Sequence, residues 1–477
     1  MKKWMIRALS ALLIAAFLPL SVLADEYDLS QGSVTVSTTK GADGSTQQDV
    51  SHKGTTKPDN NPIITSKGQQ TDNTITIDAG AGTTANVTVK DTNIDSAGTG
   101  NAAIKTEGKG DVNLNVEGTN TVSSGNYHAG VEKGNEGSLT IGSESGEGKL
   151  TANGGGFGAG IGGGRDCDGS NITISGGEVT ANGGEHGAGI GGGYGGNGSD
   201  ITVSGGEVTA TGGTNGAGIG GGHGGNGSDI AITDGKVLTT GGANGAGIGG
   251  GVNGNGSNIT VAGGKVNASG SGAGAGIGGG LEGGVSGITI SGDAQVTARG
   301  GTGDSSVYEG AAIGYGGHRY GSFGPEVPPD TSGLYTTGKV ERIPGDGTVL
   351  DTITGTVEPP KPTEPEKSAS SEEGADKREP LYRVLNLDGS SLKHQAQQAD
   401  GVLALTAKAD GAILTGTLRA LGYLQNQGIE KITFTDGTHS AELVLAELIA
   451  KGQPEDVYAL TLGAANTLTL NGETMDF

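Results

Sequence analysis

Five copies of Gly-Ala-Gly-Ile-Gly-Gly-Gly run through the middle of the chain, centred on Ile161, Ile190, Ile219, Ile248 and Ile277, at a constant step of 29 residues. A second apolar pair keeps the same step: Ile172/Ile174, Ile201/Val203, Ile230/Ile232, Ile259/Val261 and Ile288/Ile290. A third apolar position follows at Val179, Val208, Val237, Val266 and Val296, the last step being one residue longer. Three features held in one register over five copies define a repeat architecture.

Each copy contains three short apolar segments separated by Gly, Asn, Asp and Ser. Segments such as Ile172-Thr-Ile174 and Val208-Thr-Ala210 alternate apolar and polar residues, the period of a strand with one buried face, and none is long enough for a helix. One coil cannot bury its own apolar residues, but stacked coils can, with Ile190 resting on Ile161 and beneath Ile219. Glycine is 100 of 477 residues and aromatic residues are 3%, too little bulk for a compact globular core but enough for a thin, repeated one. The expectation is a mainly β fold, a single-stranded parallel β-helix.

Weaker copies extend the array. Ile104, Val131 and Ile161 are spaced by 27 and 30, and Gly310-Ala-Ala-Ile-Gly314 is a degenerate copy 36 residues after Ile277. Residues 72–343 would then form about nine coils, with 25–71 and the Pro-containing stretch 321–344 as caps over open sheet edges. Residues 344–380 form a linker, stiffened by Pro359, Pro360, Pro362 and Pro365 and kept solvated by acidic side chains. Beyond it, 381–477 changes composition. Strand-like runs surround a helix expected over 418–427, whose Leu418, Leu421 and Leu424 share one face, which reads as a separate small α+β domain.

Residues 1–24 have the form of a secretory signal peptide: Lys2, Lys3 and Arg7, an apolar stretch from Ala8 to Leu20, and small residues before Asp25. An exported protein is expected, with no membrane insertion after cleavage. Without residues 1–24 the chain keeps 26 basic and 52 acidic side chains, a net charge of −26. That charge argues against nucleic acid as a partner, which needs a basic face. Cys167 is the single cysteine, so no intramolecular disulfide can form.

Several motifs invite sharper readings. Gly187-Ala-Gly189-Ile-Gly-Gly192 matches the dinucleotide fingerprint, but it recurs in every copy with no helix after it, so its glycines read as coil corners. Gly195-Gly-Asn-Gly-Ser-Asp200 is similar to a calcium-binding nonapeptide of wrong period. Asp200 and Asp229, in the column Asn171, Asp200, Asp229, Asn258, are therefore metal candidates set against a plain turn ladder. Two variable columns flank the glycine core: Phe157, His186, Asn215, Asn244, Ala273 before it, and Arg165, Tyr194, His223, Val252, Leu281 after it. They are either tolerant corners or the face on which a ligand is read. Tyr308, Tyr315, His318, Tyr320 and Phe323 crowd together in an aromatic-poor chain, as a lid or a sugar platform. The ligand candidates are thus Tyr308, Tyr315, His318, Tyr320, Tyr194 and His223. No recurring carboxylate pair with a basic neighbour marks a catalytic centre.

The glycine motif followed by Asn171-Ile-Thr-Ile-Ser-Gly-Gly-Glu-Val-Thr-Ala resembles repeats of secreted and surface proteins from anaerobic Gram-positive bacteria. Val112-Asn-Leu-Asn-Val116, His128-Ala-Gly-Val131 and Leu139-Thr-Ile141 resemble the clostridial carbohydrate-binding β-helix family. The resemblance implies a right-handed, pectin-lyase-like fold that binds acidic polysaccharide, with calcium, and does not cleave it. The expectation that follows is a secreted, non-catalytic binder of extracellular polysaccharide, needing no cofactor unless calcium bridges the acidic surfaces. The alternatives are a spacer or adhesin that displays the C-terminal domain to a cell-surface partner, and a divergent polysaccharide lyase.

Overall fold

The structure, a computed structural model, describes residues 25–357 apart from 42–43, 304–307 and 320–323, and 382–475 with short gaps. The expected signal segment, Tyr320, Phe323 and most of the expected linker lie outside the described residues. The chain divides into two compact units, Met1–Thr363 and Glu364–Phe477.

The first unit is the expected solenoid. Its 29-residue coils stack in register, so that Ile161 pairs with Ile190, Ile190 with Ile219, Ile219 with Ile248 and Ile248 with Ile277, all in parallel. Three sheets run along the stack, of 10, 12 and 11 strands. One contains the two-residue strands such as Ile190–Gly191, one the strands such as Gly198–Val203, and one the strands such as Glu207–Thr211. The inward Ile and Val of all three form one continuous core in which Ile161, Ile190, Ile219, Ile248 and Ile277 have no exposed surface.

The glycine after each isoleucine is required by close approach. Gly191, Gly220 and Gly249 have φ near +131 to +133, and a Cβ on any of them would lie 2.0 Å from the carbonyl oxygen of the corresponding glycine one coil on. No side chain fits there, and the conformation itself disfavours one.

The stack is longer than the glycine repeat suggests: about 11 turns rather than nine. Residues 25–71, expected as a cap, supply coils of their own. Val34–Lys40 pairs in parallel with Ile75–Ala79, Glu26–Asp28 with Ile63–Thr65, and Tyr27, Leu29, Val34 and Val36 are buried in the common core. The period-2 alternation is present there, without the glycine signature that marks the later coils. Only the antiparallel pair Thr46–His52 and Thr55–Pro58 covers an edge. At the other end a carboxylate from the stretch expected as a cap, 321–344, closes the last coil; of the rings expected there as a lid, Tyr320 and Phe323 lie outside the described residues. Glu326 accepts from the backbone N–H of Ala312 (2.5 Å) and Ile313 (3.2 Å), replacing the carbonyls of an absent next coil. Burial pushes its carboxyl above the usual range, and Arg342, itself buried and paired with Asp351, stands 3.6 Å away. Lys339–Ile343 adds a last parallel strand and Asp351–Thr354 pairs with it antiparallel, so part of the segment expected as linker belongs to this unit.

The second unit is built from a five-stranded and a four-stranded sheet with two short helices, Leu418–Asn426 and Leu445–Ile449. Leu418, Leu421 and Leu424 are buried together with Phe434 and Tyr458, as the helical spacing predicted.

Candidate functional site

In each coil the loop before the glycine core folds against the loop after it from the following coil. Backbone hydrogen bonds fix the pairing: Arg165 N–H donates to Tyr127 O (2.7 Å), Tyr194 to Phe157 (2.8 Å), His223 to His186 (2.9 Å), Val252 to Asn215 (2.9 Å) and Leu281 to Asn244 (2.8 Å). The two variable columns are therefore one strip, and residues 37 apart in the later coils are neighbours across it.

The N-terminal half of this strip is a ladder of rings. Tyr127 stacks on Phe157 (centroids 5.5 Å, planes 19° apart) and Tyr194 on His223 (5.3 Å, 4°). Phe157 and His186 are 5.2 Å apart, and His186 meets Tyr194 and His223 edge-on at 5.5 and 5.8 Å. The Arg165 guanidinium lies 5.4, 5.2 and 6.0 Å from the rings of Tyr127, Phe157 and Tyr194. These separations follow from the coil rise of roughly 4.8 Å, which brings like positions to stacking distance. Tyr127 and Phe157, and Tyr194 and His223, cover one another's faces, the other pairs meet tilted or edge-on, and Phe157, His186, Tyr194 and His223 remain partly exposed. Tyr127, the first ring, is 50% exposed. Towards the C-terminal end the strip turns apolar and closes, with Val252, Ala273 and Leu281 buried together.

Beside Tyr127 is a hollow of about 390 Å³ lined by His128, Glu132, Arg165, Asp166 and Cys167. Glu132 takes a position that is glycine in the later coils (Val131-Glu132 pairs with Ile161-Gly162), and its carboxylate accepts from His128 Nδ1 (2.7 Å) and Ala129 N–H (3.3 Å). Burial, with Glu132, Asp166 and Asp168 nearby, pushes the Cys167 thiol up, away from the nucleophilic thiolate.

The remaining candidates are dispersed. Tyr315 closes a separate groove of about 610 Å³ lined by an amide ladder and by Ser199, Ser228, Ser257 and Ser286. In that ladder Asn197 donates to Asp168 Oδ1, Asn226 to Asn197 Oδ1 and Asn255 to Asn226 Oδ1, so each side-chain oxygen is engaged by the next coil. His318 Nδ1 contacts Glu282 (2.8 Å), and Tyr308 N–H donates to His318 O (3.0 Å). The Arg319 N–H and His318 hold the Glu282 carboxyl below its usual range. Asp200 and Asp229 sit in an exposed column with Asn171 and Asn258, all at φ of 50 to 55, the left-handed conformation that Asn and Asp tolerate best. Among the described residues no three His, Cys, Asp or Glu side chains are arranged to hold a metal ion.

Of the sequence candidates, then, Tyr194 and His223 share the ladder, and Tyr315, Tyr308 and His318 do not join it. Tyr127 falls outside the 29-residue register because its coil is one residue longer. In the sequence Phe157 and His186 belong to one column and Arg165 to another, and the 37-residue offset is the signal that joins them.

The ladder carries a pH-dependence. Burial, and then His186, lowers the pKa of His223 below 6.5. Well above pH 6.5 the ring is neutral whether the chain is folded or not, and stability is complete. As the pH falls, the unfolded chain takes up a proton that the folded ladder resists, and stability is lost until the folded pKa is passed. Thermal melts from pH 7.5 to pH 5 should therefore fall more steeply for the wild type than for His223→Gln; parallel curves would refute the assignment.

A family model described as Beta helix repeat matches residues 145–165, 172–194, 201–223 and 259–281. No curated protein and no solved structure matches the chain. The matched repeats and the three parallel sheets agree that this is a parallel β-helix protein.

Proposed function

We propose that the chain is an exported, non-catalytic binding protein whose ring ladder engages extracellular polysaccharide. The observation that carries this reading is the ladder itself: in a chain with 3% aromatic residues, Tyr127, Phe157 and Tyr194, with two histidines and an arginine, are gathered on one strip. Rings with polar tips are the side chains that match a sugar's mixed apolar and hydroxyl surface. Contact would run through the partly exposed ring surfaces of the ladder and through Tyr127, its most exposed ring. β-Helix repeats are often polysaccharide-related, which supports this ligand class by analogy of fold. No cofactor is required; calcium, if it contributes, would bridge acidic groups on the two partners.

A glycan array probed with and without calcium, followed by titration of the best hit, tests the reading. Phe157→Ala combined with Tyr194→Ala should weaken binding at least about tenfold, since central aromatic anchors carry most of such an interface. Absence of any glycan binding, or full affinity in the double variant, would remove the ladder as the site. In that case the separately cored C-terminal unit favours the spacer or adhesin reading, in which the solenoid displays that unit to a protein partner.

A further inference from the structure

We infer that Arg165 is the residue that reads ligand charge on the ladder, pairing directly with a carboxylate of the glycan without a bridging metal ion; this rests on the polysaccharide reading above. Four observations converge on it. Arg165 is the one permanent cation in contact with the ladder rings among the described residues. Its guanidinium is held at 5.2 to 6.0 Å from three ring centroids, so the orientation of the fork is set before any ligand arrives. Its Nε stands 3.2 Å from Asp166 Oδ2, but both side chains are about half exposed or more, which makes that pair weak and easily exchanged. No acceptor among the described residues reaches its two terminal nitrogens, which leaves one edge of the fork open beside the Tyr127 hollow.

A planar fork with two free parallel N–H donors matches a carboxylate and gives bidentate, charge-assisted bonds. The surroundings limit how much anion the site accepts. Glu132 and Asp166 line the same hollow and Asp168 lies two residues beyond Asp166, so a second carboxylate close by would be repelled. The site therefore suits a single acidic group at one register of a chain whose other units lie along the ladder rings. Direct pairing also removes the need for calcium that the net charge of −26 would otherwise impose.

The test uses the full chain, a short oligogalacturonate and its methyl ester, both titrated in chelator. The wild type should bind the acid about tenfold more tightly than the ester, the scale of one charge-assisted bidentate contact. Arg165→Gln should bring the acid down to the affinity of the ester. Arg165→Lys, which keeps the charge and loses the fork, should recover only part of the difference. Circular dichroism should be unchanged in both variants, since the side chain is half exposed. Discrimination that survives in Arg165→Gln, or that appears only when calcium is added, overturns the assignment. Wild-type binding of neutral glycans with no preference for acid over ester overturns this inference and leaves the polysaccharide reading intact. Binding of no glycan of any kind removes both.

Discussion

Ile219→Asp is expected to abolish cooperative folding of the central coils. Ile219 has no exposed surface and pairs in register with Ile190 on one side and Ile248 on the other, so the new carboxylate meets only aliphatic side chains and glycine backbone. A buried charge without a partner is among the few single changes that cost more than about 4 kcal/mol. In a solenoid the damage is not confined to one coil, because each coil is stabilised mainly by its neighbours. Ile219→Val, which removes one methylene, should cost only about 0.5–1.5 kcal/mol. A circular dichroism melt of Ile219→Asp that overlays the wild type would be incompatible with the stacked-coil core.

The second large effect falls on a glycine. In Gly220→Ala the added Cβ would lie 2.0 Å from Gly249 O, at φ +133. The obstructing atom is backbone in the adjacent coil, so relief requires two coils to move apart and weakens the parallel hydrogen bonds between them. Gly224→Ala is the matched control, four residues away at φ +79 with nothing within 4 Å of the new carbon. That control should show only the conformational cost, about 1–2 kcal/mol. Gly220→Ala should lose several times as much, read as the shift in denaturant midpoint at constant slope. Equal losses at the two positions would mean that the close approach between coils is not what selects glycine there.

The charge-reading role of Arg165 and the acid sensitivity of His223 concern the same strip and are separable. Melts of the His223 variant report the ladder's own stability, whereas the acid-against-ester comparison reports a ligand. A ladder that serves only to stack coils would pass the first test and fail the second.

Much of the fold was legible in the residues because the repeat is a statement about spacing. Any side chain 29 positions from another in the central coils is its neighbour above or below, and the pairing of Ile172 with Ile201 or Val179 with Val208 follows from counting. The helix in the C-terminal unit was legible for the same reason, at a period of 3.6. The first coils were harder to see. Val34 and Val36 alternate correctly, but without the glycine corners nothing local distinguishes a coil from a cap. The stretch 321–344 was legible as a cap, but the role of Glu326 within it was not, since it depends on which backbone N–H groups the last coil leaves open.

The same division holds at the site. Periodicity by itself determined that Phe157 lies beside His186 and Tyr194 beside His223, because positions repeated along the coils are forced into columns. That the two columns merge into one ladder, that Arg165 lies over three rings, and that Tyr315 and His318 stand elsewhere were decided only by the tertiary structure. The physical reason is that the two loops of a coil are joined by backbone hydrogen bonds, such as Tyr194 N–H to Phe157 O, whose partners are chosen by how the chain turns at its glycines. A column is a property of the period; contact between columns is a property of the turn.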